Sequence, residues 1–105
     1  MKAKLITVER AAQALEFPLD QLPIVIGRGP EAGVRVHDPW VSRAQCRIEA
    51  TGDALILRDL GSKHGTYVNG AAVTEATLQC QDEICVGMTR FRVCYDAAAP
   101  ASNLS

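Results

Sequence analysis

The chain has 105 residues, 48% hydrophobic and 22% charged, which fits one globular domain and argues against a disordered chain. Eleven Lys and Arg against twelve Asp and Glu give a formal net charge of −1. A general nucleic-acid binder carries a basic excess, so that class of partner is set aside. No apolar run reaches the length of a membrane span, and the N-terminus turns polar at Thr7, Glu9 and Arg10 without the apolar core of a signal peptide; no membrane partner is expected.

Strand signals dominate in chain order. Leu5-Ile6-Thr7-Val8 is a short β-rich run. The stretch from Arg10 to Glu16 is too short for an independent helix and reads as a wide hairpin turn. Leu15, Phe17 and Leu19 alternate with Glu16 and Pro18. The proline cannot donate to a ladder, so it predicts an edge strand. Ile24-Val25-Ile26, stopped by Gly27, reads as a strand buried on both faces. Val34 and Val36 flank Arg35. Cys46, Ile48 and Ala50 alternate with Arg47 and Glu49, and Leu55 and Leu57 share one face. Ile84 and Val86 form another strand, and Phe91, Val93 and Tyr95 alternate with Arg92 and Cys94. These runs recur about every ten residues with Gly, Pro, Asp or Asn between them, the pattern of an all-β antiparallel sandwich. Residues 1–96 are expected to form the domain. The small, polar stretch 97–105 reads as a flexible tail or the start of a linker.

The four cysteines, Cys46, Cys80, Cys85 and Cys94, match neither a zinc pair nor a redox motif. Without a secretory signal, reduced thiols in a cytoplasmic protein are expected. His37-Asp38 lacks further metal ligands and reads as a surface loop, so no metal is expected. Neither GxxxxGK[ST] nor GxGxxG occurs, so no nucleotide cofactor is expected.

Three loop motifs carry the chemistry. Gly27-Arg28 ends a buried strand. The glycine permits a sharp turn, and a guanidinium fork suits bidentate contact with phosphate. Ser42-Arg43-Ala44-Gln45 opens the next strand with a hydroxyl donor and a cation. Gly61-Ser62-Lys63-His64-Gly65-Thr66-Tyr67-Val68-Asn69-Gly70 is a Gly-studded polar turn, a short hydrophobic return and a second turn closed by Asn-Gly. Together they make a docking surface for an anion. Ser62, Lys63 and His64 also hold a hydroxyl and a possible base, but adjacent turn residues rarely face each other and no acid is placed to orient His64. No catalytic residue is assigned, and the chain is not expected to be an enzyme.

In order and spacing these motifs resemble the forkhead-associated (FHA) domain, a reader of phosphothreonine, over about residues 4 to 95. The resemblance implies an FHA-type β-sandwich with binding loops at one end. It implies that Arg28, Ser42 and Lys63 hold the phosphate and that His64, where the family most often has Asn, holds the peptide backbone. Arg43 would add field or a phosphate contact. Gly27, Gln45, Ser62, Gly65, Thr66 and Asn69 would shape the loops. Gln45 stands where the family usually has His, which braces the loops, and Gln81 stands where it commonly has Gly. Trp40 lies in a turn stiffened by Pro39, and two orientations are open for it: presented to the peptide as an apolar specificity contact, or packed inward as core. The implied partner is a phosphothreonine-containing protein, a kinase substrate or a kinase, met in the cytoplasm. The alternative is a phosphate-independent structural or oligomerisation scaffold of the same fold.

Overall fold

The computed structural model of the chain describes residues 2–8 and 15–96. The expected turn up to Ala14 and the tail 97–105 lie outside the described residues. Among the described residues, eleven strands form two sheets: β1 (Lys2–Thr7), β2 (Glu16–Pro18), β3 (Ile24–Gly27), β4 (Val34–Arg35), β5 (Cys46–Thr51), β6 (Ala54–Asp59), β7 (Thr66–Val68), β8 (Ala71–Val73), β9 (Glu75–Leu78), β10 (Glu83–Val86) and β11 (Thr89–Asp96). One sheet has the order β2-β1-β11-β10-β7-β8, the other β4-β3-β5-β6-β9. No helix occurs among the described residues, so none is long and apolar enough to cross a membrane.

The period-2 alternation read from the sequence sets the core. Leu5, Cys46, Ile48, Leu55, Leu57, Ile84, Val86, Phe91 and Val93 point inward and are buried between the sheets. Each of these strands keeps polar residues on its outer face, as the pleat requires. β2 is an edge strand, as Pro18 predicts. Ile24–Ile26 departs from its expectation: Ile26 is buried, but Val25 is only half-buried, because its face of the sheet is open to solvent. The four cysteines are free thiols. Burial pushes the Cys46 thiol up to about 12, which makes it an inert core residue.

One strand departs from a simple antiparallel sandwich. β4 runs parallel to β3, with Ile26 opposite Val34 and Gly27 opposite Arg35. The chain after Arg28 folds back until Gly33 lies against Ile24, where an added Cβ would stand 2.4 Å from Cγ1. It then climbs again beside β3. β8 and β9 were not apparent in the sequence, since Ala71-Ala72 and Glu75-Ala76 are poor strand formers. Tertiary pairing supplies what propensity lacks. Val68 pairs with Ala71 across Asn69-Gly70, and φ of 51° and 85° at these residues makes a type I′ hairpin turn. Leu78 of β9 is buried opposite Leu55.

All the signature loops except the Asn69-Gly70 turn leave one end of the sandwich. They follow β3, precede β5, and join β6 to β7. At the other end, Gln81 adopts φ 78°, the left-handed conformation that costs a side-chain-bearing residue about 1–2 kcal/mol. Its N–H donates to the Val93 carbonyl at 2.7 Å, so the turn cannot relax without losing that bond. Gln81→Gly should therefore raise stability by about 0.5–1 kcal/mol, the relieved strain less the added freedom of the unfolded chain. Urea denaturation checks it, and an unchanged or lowered midpoint contradicts it.

Candidate functional site

The β3–β5 ladder continues past the strand ends and sets the first two loops side by side. Gln45 N–H donates to the Ile26 carbonyl at 2.9 Å, Arg28 N–H to Ser42 at 3.0 Å, and Gly29 N–H to Arg43 at 3.1 Å. This closeness leaves no room beside Gly27, where a Cβ would stand 2.1 Å from the Arg43 carbonyl oxygen. Only glycine fits there.

The Arg28 guanidinium is anchored through Nε–H to the Val41 carbonyl at 3.0 Å. Its terminal nitrogens have no partner among the described residues. Ser42 Oγ accepts from the Lys63 N–H at 3.0 Å and donates to no described residue. One lone pair is filled and the hydroxyl hydrogen is free, so the group is set to donate to an incoming anion. Lys63 and His64 are exposed beside it. Arg43 stands apart: its side chain leans towards Gly29 and lines a shallow hollow with Pro30, Glu31 and Ala32.

Gln45 holds these loops together. It is fully buried, and its amide uses both ends. Oε1 accepts from the Ser42 N–H at 2.9 Å, while Nε2 donates to the Gly65 carbonyl at 2.8 Å and to Thr66 Oγ1 at 3.0 Å. The side chain thus links the Ser42 loop to Gly65 and Thr66.

Two acids missed in the sequence reading complete the loops. Asp59 Oδ2 accepts from Gly61 N–H and Ser62 N–H, and Oδ1 from the Ser62 and Thr66 hydroxyls, at 2.6 to 3.0 Å. Ser62 Oγ in turn accepts from Gly65 N–H at 3.0 Å. The Ser62 hydroxyl is thus committed to the loop. Asp38, read as part of a surface loop, is buried. It accepts from Trp40 N–H, Met88 N–H and the Thr89 hydroxyl at 2.8 to 2.9 Å, which ties the β4–β5 loop to the β10–β11 turn. The signal for both was an aspartate at a strand end or before proline, the setting of an Asx turn. Among the described residues, no three His, Cys, Asp or Glu side chains gather as metal ligands.

Trp40 is presented outward, 54% exposed, and not packed as core. Its ring meets His64 edge-to-face with centroids 5.3 Å apart, and Met88, 79% exposed, follows Gly87 on the other side. The result is an apolar shelf next to the cations. Asn69 is the one signature residue the fold sends elsewhere. At the opposite end of β7, its side chain donates to Asp82 at 3.0 Å and accepts from Glu83 N–H at 3.0 Å.

Burial alone would raise the pKa of Asp59. The hydrogen bonds from Ser62, Thr66 and Gly61 outweigh burial and hold the carboxyl below its ordinary value. A carboxyl with a folded pKa below the unfolded value of about 3.9 adds stability above that pH and loses it as pH falls through the folded pKa. Melting temperature should therefore drop steeply below pH 4. Asp59→Asn should lower stability at pH 7 by about 2 kcal/mol and flatten that acid limb. Thermal scans from pH 7 to 2 check this, and an acid limb of unchanged steepness in the variant contradicts it.

The FHA-domain family profile matches residues 24–87, which takes in all three motifs. The chain is 35% identical over 92 residues to an oxoglutarate dehydrogenase inhibitor of Corynebacterium jeikeium, covering 87% of this chain and 62% of that protein. It is also 35% identical over 92 residues to the glycogen accumulation regulator GarA of Mycolicibacterium smegmatis, covering 87% of this chain and 57% of that one. The chain thus spans about three fifths of the length of these curated relatives. Among solved structures, it is similar to an FHA domain from a study of phosphothreonine-dependent FHA domain interactions, with a TM-score of 0.83, 31% identity, and coverage of 92% of this chain and 99% of that one. The sandwich, the braced loops and these likenesses agree: the chain belongs to the FHA-domain family.

Proposed function

We propose that the loop end recognises a phosphothreonine peptide from a protein phosphorylated by a Ser/Thr kinase. The observation that carries this reading is the Ser42 hydroxyl. Lys63 N–H fixes its oxygen, its hydrogen is free, and the Arg28 guanidinium next to it lacks a carboxylate partner. Arg28, Ser42 and Lys63 hold the phosphate, and His64 holds the peptide backbone. Arg43 contributes field from behind Arg28. Gly27, Gln45, Ser62, Gly65 and Thr66 keep the loops in place, and Asn69 does the same for the far turn. The module binds and does not turn over its ligand, and it meets kinase-modified partners in the cytoplasm. An inhibitor and a regulator among the relatives are in keeping with this.

A phosphate-independent scaffold is the second reading. It is favoured by the exposed shelf of Trp40 and Met88 and by the packing of His64 on Trp40. Matched phosphorylated and unphosphorylated peptides separate the two.

Arg28→Ala should weaken phosphopeptide binding by roughly 2–4 kcal/mol, the loss of a charge-assisted fork on a dianion, while melting falls little, since only the Nε–H bond to Val41 is lost from an exposed side chain. Titration calorimetry reads this directly. Less than a threefold loss would sink the assignment.

Trp40 should set a preference for an aliphatic or aromatic residue on the C-terminal side of the phosphothreonine, contributing about 1–2 kcal/mol through buried area and stacking. Trp40 emission should shift when phosphopeptide is added. In a peptide array, Trp40→Ala should flatten that preference and leave phosphate dependence intact. An unaltered array profile would contradict the assignment.

A further inference from the structure

The β10–β11 turn packs against the segment that leads into Ser42. Gly87 sits so close to it that an added Cβ would stand 3.0 Å from Asp38 Oδ2, Trp40 Cβ and Val41 Cγ2 alike. Among the described residues, no hydrogen bond joins this turn to Arg28, Ser42, Lys63 or His64. The link runs through one side chain, Asp38. Its Oδ2 accepts from Met88 N–H and from the Thr89 hydroxyl, both at 2.8 Å, and its Oδ1 from Trp40 N–H at 2.9 Å. Burial alone would raise the pKa of this carboxyl, and the bonds from Trp40, Thr89 and Met88 outweigh burial and lower it. Both oxygens are therefore acceptors at neutral pH. An amide in this place would turn its NH2 onto a backbone N–H, donor against donor.

Asp38 also closes the turn that follows it. Its carbonyl accepts from Val41 N–H at 3.0 Å, and Asp first with Pro39 second is a favoured order for such a turn. The bond from Trp40 N–H to the carboxylate adds an Asx turn inside it. The segment Asp38–Val41 is thus fixed twice, and the Val41 side chain is buried. The Val41 carbonyl is then held against Arg28, whose Nε–H donates to it at 3.0 Å. Ser42, the next residue, takes the Arg28 main-chain N–H on its carbonyl at 3.0 Å. A guanidinium is planar and rigid, so a bond at Nε sets the plane in which its terminal nitrogens lie. The aim of the Arg28 fork follows from the aim of the Val41 carbonyl, and that follows from Asp38.

We infer that Asp38 is a positioning residue for the phosphate contact: backed by Met88 and Thr89 of the β10–β11 turn, it aims the Val41 carbonyl and, through it, the Arg28 guanidinium. This inference rests on the phosphopeptide reading and deepens it, because it brings into the site a turn that none of the phosphate-holding residues bonds. Asp38 itself meets no ligand. It acts only through Arg28, so its loss should be felt at the phosphate and should vanish where residue 28 has no Nε–H to aim.

Two readouts on the full chain test this: affinity for a phosphothreonine peptide, and solvent exchange of the Arg28 Nε–H followed by NMR in the isotope-labelled, ligand-free protein. In the wild-type chain the Val41 carbonyl should shield that proton. Asp38→Asn should speed its exchange and weaken binding about five- to tenfold, the size of one hydrogen bond to a charged group impaired. Thr89→Val keeps the shape and removes one donor, so it should shift both readouts the same way, with an affinity loss of about twofold. A double-mutant cycle identifies the route. Arg28→Lys keeps a cation for the phosphate but has no Nε–H, and in that background Asp38→Asn should cost less than about twofold. A merely structural role would cost the same in both backgrounds. Melting curves establish that the variants fold, and if Asp38→Asn does not, Thr89→Val alone and in the Arg28→Lys background decides. The inference is overturned if these variants leave Arg28 Nε–H exchange unchanged, if they bind as tightly as the wild type or more so, or if their cost persists beside Arg28→Lys. If the wild-type chain binds no phosphopeptide at all, the functional reading itself fails, an outcome distinct from binding that ignores Asp38.

Discussion

The binding end depends on one buried amide. Gln45 is pinned along its main chain on both sides, its N–H to Ile26 of β3 and its carbonyl to the N–H of Leu60 at the end of β6. The side chain has little freedom left, and it spends its donor and acceptor on Ser42, Gly65 and Thr66. A buried amide left unpaired costs about 1–3 kcal/mol for each orphaned group, so the loops are held where those partners are satisfied. Ser42 then stands where Lys63 N–H can reach its oxygen. The geometry of the proposed anion site is a consequence of the sandwich closing around Gln45.

Two acids of this end serve the loops and not the surface charge. Asp38 and Asp59 turn inward onto N–H and hydroxyl groups, and these hydrogen bonds more than offset the burial that would otherwise raise their pKa values. Elsewhere the outer faces neutralise themselves: Glu49 meets both Arg47 and Arg58, and Glu83 meets Arg90 and Arg92. A chain of net charge −1 thereby presents one positive end. Local arrangement, not overall charge, creates the attraction for an anion.

Much of this was legible in the chain because the signals were local. The alternation of Cys46 with Ile48 and of Phe91 with Val93 gave the core faces, Asn69-Gly70 gave a hairpin turn, and Arg28, Ser42 and Lys63 stood in readable motifs. Pro39 pointed to an outward Trp40. The rest depended on contacts far apart in sequence. The parallel β4 follows from Gly33 folding back on Ile24, which no local pattern announces. β8 and β9 are built from Ala and Glu, and only pairing makes them strands. Gln45 could be read as able to brace the loops, but its three partners come from residues 42, 65 and 66.

The central claim is that this loop end, with Ser42 braced by Gln45, is a phosphothreonine receptor. The most direct measurement is an amide chemical-shift map of the isotope-labelled chain titrated with a phosphothreonine peptide and with its unphosphorylated twin. The account predicts saturable shifts centred on Arg28, Ser42 and Lys63 with the phosphorylated peptide alone, and an undisturbed far end at Asn69 and Gln81. Equal shifts with both peptides, or shifts centred away from Ser42, would contradict it.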